Sequence, residues 1–330
     1  MLQESQIVLE PLYHLKNDFH SGLQQVDNII FDNISASEPL IKSIAATLIS
    51  AGGKRLRPLL CLVSSQLAGA VVQNSFYLAA AVELIHVATL LHDDVIDESC
   101  LRRGKQTANL CWGNKPSILV GDFLFARAFE LMVKSGNIKF LDILACASSK
   151  ISEGEVTQLR CINSLDLSIE EYLKIIEYKT STLFAASCQL GALSGGANDE
   201  TAHSLHEFGK YFGLMYQIMD DILDYTDETR GKLVGDDFRE GKVTFPVLLA
   251  YQADADKDFW HNAFDRSKAN NEDKFGDALQ RLHDFDAFKQ SAAVAKLYAQ
   301  EAQKALQPFH SPTADMLHLL VESFLGKFAL

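Results

Sequence analysis

From Phe76 to Leu91 the chain reads FYLAAAVELIHVATLL, an apolar run broken by Glu83 and His86. A helix built from it has no polar face, so other helices must surround it, as in the middle of a bundle. The run is short for a membrane span. A second stretch, 183–193, has the same character. Apolar residues recur at three and four through 116–134, 137–160, 200–223 and 286–306, the helical period. Alternating β-branched runs with hairpin turns are missing. The expectation is an all-α fold of about ten to thirteen helices. With 48% apolar residues, seven prolines and no linker-like stretch, the 330 residues are expected to form one domain, 1–330.

Local signals place several boundaries. Pro58 suits a first helical turn after AGGKRLR. Ser168 and Glu171 make a capping box ahead of a helix that stops at Gly195-Gly196. The segment from Asp224 to Lys242, with Gly231, Gly235 and Gly241, reads as a lid-like loop. Residues 252–275 read as a polar, irregular surface excursion.

The apolar run at 76–91 ends in Asp93, Asp94 and Asp97. Asp93 and Asp97 stand four apart and share a helical face. Carboxylates at a helix C-terminus oppose its dipole. A bound cation reverses that penalty, and an oxygen-only ligand set suits Mg²⁺ shared with substrate phosphates. A second D-D-x-x-D, at Asp220, Asp221 and Asp224, also ends an apolar helical stretch. Two such clusters suggest facing walls of one cavity.

Basic residues gather at Lys54, Arg55 and Arg57, at Arg102 and Arg103, at Lys179 (beside Thr180), and at Lys232 and Lys242. Arginine forks and lysine point charges both hold phosphate oxygens. The pattern fits a polyanion bound twice, once through metal bridges and once directly. The net charge of −13 argues against nucleic acid as a partner. The six cysteines show no CxxC pair, which suits reduced thiols. The N-terminal residues carry neither a signal peptide nor an Arg-rich transit pattern, so the cytoplasm is the expected location.

The chain resembles the trans-isoprenyl diphosphate synthases, particularly the long-chain polyprenyl members. The resemblance rests on GGKRLRP (52–58), ELIHVATLLHDDVIDESCLRRG (83–104), GDFLFARA (121–128), YKTSTLF (178–184), GLMYQIMDDILDYTDE and GKLVGDDFREGKVTFP. It implies antiparallel helices around a deep central cavity, and a homodimer. It implies condensation of an allylic diphosphate, farnesyl diphosphate being the expected primer, with successive isopentenyl diphosphates. Asp93, Asp97 and Asp220, supported by Asp94, Asp221 and Asp224, would ligate Mg²⁺, three ions per site. Arg102, Lys179, Gln217, Lys232 and Lys242 would contact the allylic diphosphate. Lys54, Arg57, His86 and Arg103 would hold isopentenyl diphosphate, and Thr180 would lie near the reacting carbons. Tyr216 stands where relatives often have Phe, a mild change. Only Lys327 stands where many relatives have a basic tail.

Five residues before Asp93, about 7.5 Å down a helix, stands Ala88, with Thr89 beside it. In the family, bulky aromatic residues at these positions go with short products. Ala88 and Thr89 therefore imply an open path, with Leu84 and Ala81 deeper and Phe125, Phe129 or Met132 as its floor. The expected product is about C40–C50, as for a quinone side chain, and its release implies a peripheral membrane contact. Rival readings are a shorter, geranylgeranyl-type synthase, a terpene cyclase, a non-catalytic subunit of a heteromeric synthase, and a purely structural helical protein. The second aspartate cluster and GGKRLRP speak against the cyclase.

Overall fold

The computed structural model describes residues 10–35, 38–50, 53–102, 104–226, 234–265 and 272–326. The helices in chain order are α1 (Glu10–Asp18), α2 (His20–Ser35), α3 (Pro39–Ser50), α4 (Leu56–Ala68) and α5 (Gln73–Ile96). A two-residue antiparallel pair follows, β1 (Leu101–Arg102) and β2 (Lys105–Gln106). Then come α6 (Ala108–Trp112), α7 (Asn114–Lys134), α8 (Ile138–Arg160) and α9 (Ile169–Ile176). A π-helical turn (Glu177–Ser181) joins α9 to α10 (Thr182–Ser194). The rest is α11 (Asp199–Thr226), α12 (Asp236–Arg239), α13 (Phe245–Ala253), α14 (Lys257–Ala263), α15 (Glu272–Asp284), α16 (Ala287–Ala305) and α17 (Pro312–Gly326).

The all-α expectation holds, with more segments than the ten to thirteen expected. The excess is short helices such as α6, α12 and α14, too brief to show a period. The apolar run is the middle of α5, and Leu78 through Val82 have no exposure at all. At 24 residues α5 is long and apolar enough to cross a membrane, unlike the shorter span read from the sequence, but 67% of its most apolar window is buried in the bundle.

Two core clusters lie on either side of α4 and α10. Leu59, Leu60 and Val63 of α4 and Phe184 and Cys188 of α10 face the cluster built with α11, α13, α16 and α17. Cys61 and Leu62 of α4 and Leu183 and Leu190 of α10 face the cluster built with α2, α5, α7 and α8. The two helices are a shared wall, which is why α10 has no polar stripe.

Ser168 caps α9 through the reciprocal bonds with Glu171. The single helix expected from 169 to 194 is continuous in direction but widens into the π-turn, a form common at functional sites. Gly154 of α8 lies against this turn. A Cβ there would come within 2.9 Å of the Lys179 amide nitrogen and of the Tyr178 Cβ.

Two regions differ from the sequence reading. Residues 252–265 are not an irregular excursion. Trp260 of α14 is fully buried and donates to Asp254 at 2.9 Å, and Arg281 also donates to Asp254. Within the lid-like segment, α12 is ordered by Phe238, which is 1% exposed and packs edge-on to Phe264.

Candidate active site

The last turns of α5 and of α11 open onto one cavity of about 630 Å³. Asp93 and Asp97 line one wall; Asp220, Asp221 and Asp224 line another. Asp97 is the C-cap of α5, its N–H bonded to the carbonyl of Asp93 at 2.8 Å. Carboxylates do crowd a helix C-terminus, and each of the three in the first cluster meets a cation. Lys242 Nζ donates to Asp97 at 2.7 Å, Arg102 Nε donates to Asp94 at 2.7 Å, and Lys179 Nζ lies 3.9 Å from Asp93. Asp94 is buried at 1% exposure and lies off the cavity wall, so its place is behind Arg102 rather than at the cavity surface.

The second cluster divides the same way. Asp220 is the more open of the pair. Asp221 reaches the wall but is 3% exposed, accepting from the Tyr172 hydroxyl, from Gln217 Nε2 at 2.9 Å and from the Phe245 amide at 3.3 Å. Burial, with Asp237 close by, pushes its carboxyl up to about 7 against those three donors. Asp224 ties down the following segment. Its carboxylate accepts from the Asp237 N–H at 3.1 Å and its carbonyl from the Gly235 N–H at 2.7 Å.

Lys179 projects from the π-turn and is held by Glu155 and Gln158 of α8, both at 2.8 Å. Burial lowers its basicity, but Asp93 and Glu155 outweigh that and the net shift is upward. Lys242 behaves likewise. Burial is opposed by Asp237, Asp97 and Glu240, which keep it a firm cation. Thr180 donates to Gln217 Oε1 at 2.7 Å, so Thr180, Gln217 and Asp221 form one chain of bonds.

On the other side lie Lys54, Arg57 and His86. Arg57 stacks 4.2 Å over the Phe184 ring and its Nη1 lies 3.3 Å from His86 Nε2. Lys54 sits 5.2 Å over Tyr216 and 5.1 Å over Phe324, so aromatic faces hold both cations without neutralising them. Arg55 is withdrawn from the set: Glu83 at 2.6 Å and Asp27 at 3.2 Å hold it. Arg103 and Lys232 lie outside the described residues.

The sequence reading missed Glu155, Gln158, Tyr172, Asp237 and Glu240. The polar i,i+3 pair in GEVTQ was a usable signal for the first two. Nothing local marks Tyr172. The chain-length positions also shift. Thr89 is on the cavity wall, donating to the His86 carbonyl at 2.8 Å. Ala88, Leu84 and Ala81 are fully buried in the core beside α7, and none of them is on that wall. Phe129 cannot close the path from inside, because it is 38% exposed on the outside of α7. Phe125 is half-buried and stacks on His92, and only Met132 of the three is fully buried.

Oxygen donors on two facing walls, with ammonium and guanidinium groups among them, suit a hard divalent ion and the diphosphates it bridges. The polyprenyl synthetase family model matches residues 38–282. The octaprenyl diphosphate synthase of Escherichia coli is 42% identical over 227 residues, 68% of this chain and 70% of that protein. A Caulobacter crescentus polyprenyl synthase, solved with calcium and isoprenyl diphosphate, superposes with a TM-score of 0.91 at 43% identity, covering 96% of this chain and 97% of that one. A decaprenyl diphosphate synthase from Rhodobacter capsulatus superposes with a TM-score of 0.92 at 38% identity, over 97% and 100%. Geranylgeranyl diphosphate synthases are also among the similar proteins. The chain belongs to the polyprenyl synthetase family. It is a prenyltransferase that acts on an allylic diphosphate and isopentenyl diphosphate.

Proposed function

We propose that the chain extends an allylic diphosphate, farnesyl diphosphate as primer, by repeated addition of isopentenyl diphosphate to an all-trans product of octaprenyl to decaprenyl length, about C40–C50. The observation that carries this is the convergence of two aspartate clusters and two basic groups on one cavity.

Asp93, Asp97 and Asp220 would hold Mg²⁺ at the cavity surface, three ions per site, with Asp94, Asp221 and Asp224 supporting them. Bound Mg²⁺ supplies charge neutralisation for the departing diphosphate. Lys179, Lys242, Arg102 and Gln217 contact that diphosphate, and Lys232 belongs with them. Lys54, Arg57 and His86, with Arg103, hold isopentenyl diphosphate. Thr180, fixed by Gln217, borders the reacting carbons. The allylic C–O bond breaks and the electron pair leaves with diphosphate. The isopentenyl double bond attacks C1, and the proton lost in forming the new double bond passes to the departed diphosphate. Lys179 and Lys242 act where charge grows on the leaving oxygen, an interaction stronger in the transition state than before it. Diphosphate release measured with both substrates, with either alone, and with chelator tests this. Only the full mixture with Mg²⁺ should turn over, and release from a mixture lacking metal would refute the assignment.

The path for the growing chain runs past Thr89, about 6 Å down α5 from Asp93. Thr89→Phe should shorten the product to about C20, a single addition to the farnesyl primer, while diphosphate chemistry continues. An unchanged product length would place the path elsewhere and favour no wall position on α5.

The assembly is a homodimer through α7 and α8. Leu119, Phe129 and Val133 on α7 and Ile138, Val156 and Leu159 on α8 leave 38–78% of their surface exposed on adjacent helices, and a second copy covers such a face. Sedimentation should give twice the chain mass for the wild type and less self-association for Leu119→Lys. A wild-type monomer at micromolar concentration would refute the interface. The whole chain folds as one unit, since α4 and α10 belong to both cores. Its place is the cytoplasm, where the exposed thiols of Cys100, Cys111 and Cys146 stay reduced. The water-insoluble product leaves through a peripheral contact with a membrane.

A further inference from the structure

The first half of α11 carries a second constellation that the prenyl-transfer site does not use. His203, His206 and Glu207 stand at i, i+3 and i+4, so they share one face of the helix. One ligand atom from each can be chosen so that all three lie within 4.8 Å of one another. The two imidazole rings are already near parallel, 14° apart with centroids at 6.2 Å. Glu207 Oε1 lies 3.2 Å from His206 Nδ1. We propose that these three side chains form a binding site for a borderline divalent transition-metal ion of the Zn²⁺ type, with the fourth position taken by water.

The chemistry separates this site from the aspartate site. Two imidazole nitrogens and one carboxylate are a donor set for Zn²⁺ and not for Mg²⁺, which takes oxygen. Zn–N bonds of about 2.0–2.1 Å put tetrahedral donors about 3.3 Å apart. The set has to close to that spacing from within 4.8 Å, and His203, the exposed member, is the side chain with room to turn. The backbone beneath is fixed, because α11 packs on α10 and α16, so little ordering is needed at the moment of binding. The neighbouring cation, Lys210, is paired with Glu177 at 3.5 Å, which moderates its repulsion of an incoming ion. Thirteen residues separate Glu207 from Asp220, about 20 Å along the helix, so the two metal sites fill independently.

The test is a calorimetric titration of Zn²⁺ into the untagged, chelator-stripped full chain, in millimolar Mg²⁺ to fill the aspartate site. The wild type should bind one Zn²⁺ per chain. His203→Ala should weaken that binding at least as much as the tenfold to hundredfold loss seen, roughly, when a mere partner of a ligand is removed. It should leave Mg²⁺-dependent turnover unchanged. Asp93→Asn should keep the Zn²⁺ site. Glu207→Gln, which keeps shape and loses charge, should weaken binding less than His203→Ala. Equal Zn²⁺ binding by wild type and His203→Ala would overturn the proposal, as would a wild type that takes up none in the presence of Mg²⁺.

Discussion

Asp93→Ala and Asp220→Ala should each lower kcat by about a thousandfold or more at saturating Mg²⁺, because each removes a ligand to the charge that stabilises the leaving diphosphate. The fold should be untouched. In Asp93→Ala, Lys179 keeps Glu155 and Gln158, both at 2.8 Å, so no buried cation is left without a partner. Removing one carboxylate from a crowded helix C-terminus also relieves repulsion and an unfavourable dipole interaction. Circular dichroism should therefore match the wild type, and the metal-free melting temperature should be equal or higher. A variant that turned over near the wild-type rate, or one inactive only because it unfolded, would refute the metal assignment.

Gly191→Val should destabilise the enzyme by about 3 kcal/mol or more, the cost of forcing bulk into a packed contact. That corresponds to a fall in melting temperature of about 4 °C or more for a chain of this size. Gly191 is where α10 crosses α4. A Cβ there would sit 2.0 Å from the Cys61 carbonyl oxygen and 2.8 Å from its carbon, backbone atoms that cannot rotate away. The same crossing sets the distance between Arg57, on α4, and Phe184, on α10, across which the guanidinium stacks at 4.2 Å. The variant should thus also raise the KM for isopentenyl diphosphate before it loses kcat. A melting temperature within about 1 °C of wild type would mean the helices are not in contact at this point.

The class of fold and the clusters of the site were legible because both are written in local pattern. A helix without a polar face must be central, as α5 and α10 are. Two D-D-x-x-D motifs, each ending an apolar stretch, must be relieved by positive charge, and lysines and arginines supply it. What stayed hidden depends on rotation and distance. Adjacent helix positions differ by about 100°, so spacing could not say that Thr89 meets the cavity while Ala88 meets the core. Phe125, Phe129 and Met132 share a period, yet their helix turns Phe129 outward and buries Met132. The π-turn under Lys179 has no sequence rule of its own. It lies where α8 comes close at Gly154, a tertiary fact. Tyr172 reaches Asp221 from another helix, and Trp260 looked like surface because its partners, Asp254 and Arg281, come from separate segments.

This cavity performs many successive condensations rather than one. The direct measurement is mass analysis of the product formed by the purified chain from farnesyl diphosphate and excess isopentenyl diphosphate with Mg²⁺. A narrow distribution at octaprenyl to decaprenyl length, about C40–C50, is expected. A product that stops at geranylgeranyl diphosphate, or no elongation at all by a folded, metal-loaded enzyme, would contradict it.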